Sequence, residues 1–207
     1  MSLTIVFNEE LTHGSVRLRV PGMSPEKFWR FARQNEEVRC EMAANGDVMI
    51  RPCNGGNGGS INAHFIARLG AWARRDGTGT AFASMTLFDL PNGARRSPDA
   101  AWVTNARWNA LSDAEKEKPV PFAPDFAAEI LSPTDSLTET QAKMEEYKAN
   151  GVRLGWLIDR LKRTVYIYRP GTAAAEVLDD PATVSGDPEL PGFSLDMSLI
   201  FPPRRTP

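Results

Sequence analysis

Three charged residues that lie far apart in the sequence could together carry out chemistry. Glu129 stands inside the apolar run 126–131, Asp99 immediately precedes another apolar run, and Lys143 follows on a predicted helix. A charge within an apolar strand is costly unless it is paired or binds a metal. Glu129 therefore needs partners, and Asp99 and Lys143 are the candidates.

Asp99 and Glu129 would form a site for a divalent cation if they lie on adjacent strands. Two carboxylates that face one cavity repel each other, and a cation removes that repulsion. Magnesium prefers hard oxygen ligands, commonly one or two carboxylates with water and phosphate oxygens, and the Ile130 carbonyl could supply one more. Such a metal can activate water and stabilise charge on a phosphate. Lys143 would add positive charge at the water or the phosphate.

The same spacing also allows a purely structural interpretation. Asp99 follows a proline, and an aspartate in that position commonly forms a turn. Either carboxylate could instead pair with a cation of the chain, namely Arg95, Arg96 or Lys143. The spacing alone leaves metal chemistry and structural ion pairing open.

The first half of the chain carries clear local patterns. A strand is expected at 15–20, followed by a serine-capped helix at 24–35. A hairpin with its turn at Asn45–Gly46 comes next. After a glycine-rich mobile loop at 54–59, apolar residues at helical spacing predict a second helix that ends near Asp76.

The second half supplies strands around the predicted site. The strands expected in this part of the chain, besides that of Glu129, lie at 80–90, 95–103, 153–159 and 164–169. A short charged helix is expected at 107–116, and the helix that carries Lys143 ends at Asn150–Gly151. The apolar segment 197–201 should pack back on the sheet. This order predicts a mixed sheet with helices on its faces.

Length and composition are those of an ordinary globular protein. The 207 residues suit one domain, expected at 24–200, between an N-terminal extension at 1–23 and a tail at 201–207. The net charge of −2 argues against non-specific adhesion to nucleic acid but allows a local basic patch. Two cysteines and two histidines provide no zinc-ligand cluster.

The sequence also bears on location. Two cysteines without a Cys-x-x-Cys pair are typical of free thiols in a reducing cytoplasm. No apolar run reaches the roughly 18 residues that a membrane span needs. The N-terminus lacks the basic start and long apolar region of a signal peptide. We therefore expect a cytoplasmic protein that is not attached to a membrane.

Several motifs occur in a characteristic order. They are Ser97-Pro-Asp99-Ala-Ala-Trp-Val103, Pro124-Asp-Phe-Ala-Ala-Glu129-Ile-Leu-Ser-Pro-Thr-Asp135, Lys143-Met-Glu-Glu-Tyr147, Asn150–Asp159 and Val165–Pro170, with supporting matches at 39–46, 90–93 and 190–193. This set resembles the Uma family of predicted restriction endonucleases, a branch of the PD-(D/E)XK nuclease superfamily. The resemblance spans about residues 24–200 and is most specific from Glu129 to Tyr147.

The resemblance implies a fold and a set of site residues. The fold would be α/β (α+β), with a restriction-endonuclease-like αβββαβ core whose mixed central sheet is flanked by helices, an N-terminal hairpin and a C-terminal extension. Asp99 and Glu129 would hold the metal, with Ile130 contributing its carbonyl. The superfamily lysine lies two residues after the glutamate, where this chain has Leu131, so Lys143 on the next helix is the matching residue.

Glu41 matches an upstream acidic position in the same comparison. Some superfamily members use that position as an extra carboxylate of the metal site. The alternative for Glu41 is an exposed strand residue paired with an arginine.

The function implied is a Mg²⁺-dependent endonuclease that hydrolyses phosphodiester bonds of DNA, with Mn²⁺ as a substitute metal. Arg95, Arg96 and Lys148 are the expected contacts to the DNA backbone. A homodimer fits this activity because cutting two strands favours two copies. The alternatives are a catalytically inactive domain that binds nucleic acid or protein, and a nuclease that acts on RNA.

Overall fold

A computed structural model describes residues 16–20, 23–51 and 53–203 of the 207-residue chain. The strands of these residues form a five-stranded sheet, a six-stranded sheet and a two-stranded ribbon. Ser15, which was expected to begin the first strand, and 204–207 of the expected tail lie outside the described residues.

The elements follow one another as helices and strands in mixed order. The helices are α1 (Pro25–Gln34), α2 (Gly56–Asp76), α3 (Asn105–Trp108), α4 (Asp113–Lys116), α5 (Leu137–Ala149) and a terminal 3₁₀ helix (Met197–Leu199). The strands are β1 (Val16–Arg19), β2 (Arg39–Met42), β3 (Asp47–Arg51), β4 (Gly79–Ala83), β5 (Phe88–Asp89), β6 (Arg95–Arg96), β7 (Ala100–Thr104), β8 (Phe126–Ile130), β9 (Leu154–Asp159), β10 (Thr164–Tyr168), β11 (Glu176–Asp179), β12 (Thr183–Ser185) and β13 (Ser194–Asp196).

The five-stranded sheet has the order β1-β3-β2-β6-β5 and is antiparallel throughout. Its β2–β3 hairpin confirms the predicted turn, in which Gly46 adopts a φ of 83° that favours glycine. Helix α1 packs on one face through Phe28, against Cys40 and Met42. Because side chains alternate along a strand, Arg39 and Glu41 point to the opposite face of β2.

The six-stranded sheet has the order β11-β10-β9-β8-β7-β4 and lies between two helices. Phe126 and Ala128 of β8 belong to the core that α2 covers, whereas Ala127 belongs to the apolar cluster under α5. Only the β8–β9 pairing of this sheet is parallel. Parallel neighbours need a crossover connection, and α5 is that connection.

Helix α5 confirms the predicted end at Asn150 and lies close to the sheet. It begins after Ser136, whose hydroxyl accepts the Glu139 N–H, and it ends before Asn150. A Cβ added to Gly155 of β9 would stand 2.6 Å from the Met144 Cε of the helix. The absent side chain thus lets α5 approach the strands, which brings Lys143 near β8.

The expected strands 80–90 and 95–103 are wrong as continuous strands. The first is divided into β4 and β5 by a turn in which Met85 has a φ of 77°. The second is divided into β6 and β7 around Pro98, which has no N–H to donate to a ladder. β4 pairs with β7 in the six-stranded sheet, and β5 pairs with β6 in the five-stranded sheet. Asp99 therefore lies where the chain passes between the sheets.

Other elements also differ from the expectation. Helix α2 begins at Gly56, within the expected loop at 54–59. The expected helix at 107–116 is two short helices, because Ser112 forms a capping box with Glu115 and starts a new helix there. Strands β11, β12 and β13 were not predicted.

The C-terminal segment confirms the predicted packing. Met197, Ile200 and Phe201 are buried in the core between α2 and the six-stranded sheet. None of the described helices combines the length and the hydropathy that crossing a membrane requires.

Candidate metal centre

The register of β7 and β8 brings the two predicted carboxylates together. The strands are antiparallel and pair Ala100 with Ala128, and Asp99 and Glu129 are the next residues beyond that pair. The Asp99 N–H donates to the Ala128 carbonyl at 2.9 Å, and the Ile130 N–H donates to Asp99 Oδ2 at 2.8 Å. Opposite side chains of antiparallel strands share a face. Both carboxylates accordingly line one cavity.

This cavity has a volume of about 470 Å³ and includes Ile130 and the start of α2 in its wall. Three arginines complete the wall: Arg39, Arg51 and Arg160. Sequence reasoning missed all three. The Asn45–Gly46 turn would have revealed two of them, since it pairs Arg39 with Arg51 across the hairpin. Two arginines directly opposite each other repel, so their pairing indicates that carboxylates lie nearby.

Asp99 is paired with Arg39 and not with Arg95 or Arg96. Arg39 NH1 lies 2.9 Å from Asp99 Oδ1, and Arg39 NH2 donates to the Ser97 carbonyl at 2.9 Å. Burial alone would lower the pKa of Arg39, but the charges of Asp99 and nearby glutamates raise it above its ordinary value. The guanidinium therefore stays charged and neutralises Asp99.

Glu129 is buried and is held through one of its oxygens. Glu129 Oε1 lies 2.7 Å from Lys143 Nζ and accepts the Tyr147 hydroxyl at 3.0 Å. Burial raises the pKa of Glu129, and Asp99 raises it further, while Lys143 opposes both effects. The resemblance places a lysine two residues after Glu129. The residue at that position is Leu131, which lies in the apolar cluster under α5.

Glu41 is completely buried, which excludes the exposed alternative. Glu41 Oε1 lies 2.7 Å from Lys143 Nζ, and Oε2 lies 3.6 Å and 3.7 Å from nitrogens of Arg96 and Arg51. Burial alone would raise the pKa of Glu41, but these three cations hold it well below its usual range. Of the described residues, neither Glu41 nor Lys143 forms part of the cavity wall.

Arg95, Arg96 and Lys148 pair within the protein, and their contact with DNA stays a prediction. None of the three lies in the wall of the cavity, as far as the described residues go. Their partners are carboxylates of the chain: Asp89 for Arg95, Glu146 for Arg96 and Glu145 for Lys148. Arg95 and Arg96 are also buried. The arginines nearest to a ligand in the cavity are those of its own wall, Arg39, Arg51 and Arg160.

The donors in the cavity suit a hard divalent cation. The described residues contain no group of three or more His, Cys, Asp or Glu side chains placed to hold a metal ion. Asp99 and Glu129 supply two carboxylates, and Mg²⁺ commonly binds to one or two carboxylates with water and phosphate oxygens. The cavity therefore offers the number of carboxylates that such an ion commonly uses.

Comparison with known proteins identifies the fold and the family of the chain. The chain is similar to the crystal structure of a putative nuclease belonging to DUF820 from Anabaena variabilis ATCC 29413, with 22% identity and a TM-score of 0.66. The match covers 78% of this chain and 89% of that one, and it shows a shared mixed α/β fold. No curated protein matches the chain. Residues 25–198 match the Uma2 family, described as "Putative restriction endonuclease", which confirms the resemblance. The chain therefore belongs to the Uma2 family.

Proposed function

We propose that this protein is a metal-dependent endonuclease that hydrolyses phosphodiester bonds of DNA. The observation that carries the proposal is the position of Asp99, directly before β7, and Glu129, on the neighbouring strand β8, in the wall of one cavity. A phosphodiester is an anion, and its hydrolysis builds further negative charge at phosphorus. A cavity that unites two carboxylates with arginines can hold both a cation and a phosphate.

The element order supports a restriction-endonuclease-like αβββαβ core. Its members would be α2, β4, β7, β8, α5 and β9, and the four strands are consecutive neighbours in the six-stranded sheet. The pair β5 and β6 would be an insertion between the first two strands of the core. Membership of the Uma2 family supports the same assignment.

The residues of the site would have different roles. Asp99 and Glu129, with the Ile130 carbonyl, would hold Mg²⁺ or Mn²⁺, which when bound supplies an activated water and stabilises charge on the phosphate. The Ile130 N–H orients the Asp99 carboxylate from 2.8 Å. Lys143 would contribute a fixed positive charge next to Glu129 as negative charge develops on the phosphate.

The test is cleavage of four substrates of one sequence, namely single- and double-stranded DNA and RNA, with Mg²⁺, with Mn²⁺ and with a chelator. We expect cleavage of DNA that requires the metal. Asp99→Asn and Glu129→Gln should each reduce the rate by at least about 100-fold, since each removes a charged ligand. Asp113→Asn, at an exposed position of α4, is the control and should leave the rate unchanged. Cleavage of RNA but not of DNA would contradict the proposal and identify the protein as an RNA nuclease.

One observation favours a second candidate, a non-catalytic nucleic-acid-binding domain. The Asp99 and Glu129 carboxylates are each paired with a cation of the chain, Arg39 or Lys143. Such pairing could by itself be the reason that the carboxylates are present. Binding of DNA without metal-dependent cleavage, unchanged in Asp99→Asn, would support this candidate and contradict the first.

A further inference from the structure

Glu41 occupies a place that differs from those of Asp99 and Glu129. It lies on the face of β2 that points away from α1, and it is completely buried. A ligand of Mg²⁺ must leave room for water and substrate oxygens on the same ion. Asp99 and Glu129 meet that condition because they line the cavity, whereas Glu41 does not line it.

Both oxygens of Glu41 are directed at groups of the chain. Oε1 lies 2.7 Å from Lys143 Nζ and accepts the Ser97 N–H at 2.9 Å. Oε2 makes no hydrogen bond with the described residues but lies within 4 Å of nitrogens of Arg51 and Arg96. Bringing a further cation to Glu41 would place it beside three positive charges, which disfavours metal binding there.

Glu41 contacts two other segments that contribute residues to the site, helix α5 and the segment before Asp99. Lys143 comes from α5, and its Nζ lies 2.7 Å from both Glu41 Oε1 and Glu129 Oε1. With Glu129 alone, the long lysine side chain could adopt several conformations that keep one ion pair. The second carboxylate selects a single position. Through the Ser97 N–H, Glu41 also anchors the segment that ends at Asp99.

We propose that Glu41 is a positioning residue that holds Lys143 against Glu129 and fixes the segment Ser97–Asp99, and that it is not a ligand of the metal. This differs from the role that the family resemblance implied for it. The inference rests on the proposed function as far as catalysis is concerned, whereas the position of Lys143 can be measured without any activity.

The test compares Glu41→Gln with Glu146→Gln. Glu146 belongs to the same ion-pair network, since it binds Arg96, but it does not contact Lys143. Three quantities are measured on each protein: the dissociation constant of Mn²⁺ by calorimetry, the ¹⁵Nζ ammonium signal of Lys143 by NMR, and the rate of DNA cleavage. Lys143→Met identifies the ammonium signal.

For Glu41→Gln we expect a Mn²⁺ dissociation constant that rises by less than about 100-fold, because both proposed ligands remain and only a residue that positions them is changed. The slowly exchanging ammonium signal of Lys143 should broaden or disappear. The cleavage rate should fall about 100-fold, as expected when a catalytic group is misplaced. Glu146→Gln should keep the ammonium signal and most of the rate.

Two results would overturn the inference. A Mn²⁺ affinity that falls more than about 100-fold in Glu41→Gln would identify Glu41 as a ligand, since residues that only hold a ligand typically cost 10- to 100-fold. An unchanged Lys143 ammonium signal would show that Glu41 does not position the lysine. If the wild type cleaves no nucleic acid, the proposed function fails, but calorimetry and NMR still decide the role of Glu41.

Glu41→Asp provides a second test in case the Glu41→Gln variant does not fold. Aspartate keeps the negative charge among the three cations but withdraws the carboxylate from Lys143 by one methylene group. The expected result is again a Mn²⁺ affinity that falls by less than about 100-fold, together with a weakened ammonium signal. In the Lys143→Met background, Glu41→Gln should cause no further loss of cleavage if Glu41 acts on the rate mainly through the lysine.

Discussion

Lys143 Nζ lies 2.7 Å from Glu129 Oε1, and the two residues belong to one β-α-β unit. Glu129 is on β8, Lys143 is on the crossover helix α5, and β9 returns parallel to β8. The crossover folds the helix back over the strand that precedes it, which brings its lysine to the carboxylate. Under the proposed function, Lys143 would thereby replace the lysine that the resemblance places at the position of Leu131.

Replacing Lys143 with methionine should destabilise the protein at neutral pH. Glu129 would remain buried without its cation, and breaking a buried ion pair from one side costs about 3–5 kcal/mol. Urea unfolding of both proteins measures the difference in the free energy of unfolding.

Lys148→Met, on the same helix, is the matched control. Lys148 pairs with the more exposed Glu145, and the median cost of losing such a pair is about 0–1 kcal/mol. A loss in Lys143→Met no larger than the loss in this control would contradict the importance of the buried pair.

Replacing Tyr147 with phenylalanine should cost about 1–3 kcal/mol, because Glu129 Oε1 would lose a hydrogen-bond donor inside the protein. Thermal or urea unfolding gives the value. Tyr168→Phe is the comparison, since Tyr168 is buried in the same cluster and its hydroxyl has no hydrogen-bond partner among the described residues. Equal losses in the two variants would argue against a specific role for the Tyr147 hydroxyl.

Metal binding should weaken as the pH is lowered towards the raised pKa of Glu129. A carboxylate must be deprotonated to bind a metal. Because burial and Asp99 raise the pKa of Glu129 above the ordinary 4.5, the proton competes with the metal at a higher pH than for an exposed glutamate. Calorimetric titration with Mn²⁺ over a pH series should show this loss of affinity, with a proton released on binding.

Glu129→Gln provides the reference for that titration. This variant should bind Mn²⁺ weakly at every pH. It should also lack the decrease in affinity at low pH that results from protonation of Glu129. Identical pH profiles for the two proteins would remove Glu129 from the proposed ligands.

Arg160→Ala should weaken DNA binding and reduce its dependence on salt. Arg160 lies in the cavity wall, and each phosphate contact contributes about 0.9 to the slope of log K against log salt. The measurement is the affinity for a duplex in a series of salt concentrations, in the presence of a chelator. Arg153→Ala changes an exposed arginine outside the cavity wall and should leave the slope unaltered. Equal slopes for all three proteins would exclude Arg160 from the interface.

Elements whose limits are set by neighbouring residues were predicted well. Ser24 and Ser136 cap α1 and α5 through their own hydroxyls, and the Asn45–Gly46 turn closes the β2–β3 hairpin. Each of these interactions joins residues only a few positions apart. The prediction failed at 80–90 and 95–103, because apolar composition suits a strand but does not reveal that the chain leaves one sheet for another.

The sequence by itself determined that Glu129 stands on a strand and Lys143 on the helix that follows it, and it carried the motifs of the Uma2 family. Only the tertiary structure decided which charges meet. Glu41 and Lys143 are 102 residues apart, and Arg39 is on a different sheet from β7, which follows Asp99. Ion pairs of this kind depend on how the two sheets and α5 pack together. No short stretch of sequence contains that information, because the partners become neighbours only when the core is formed.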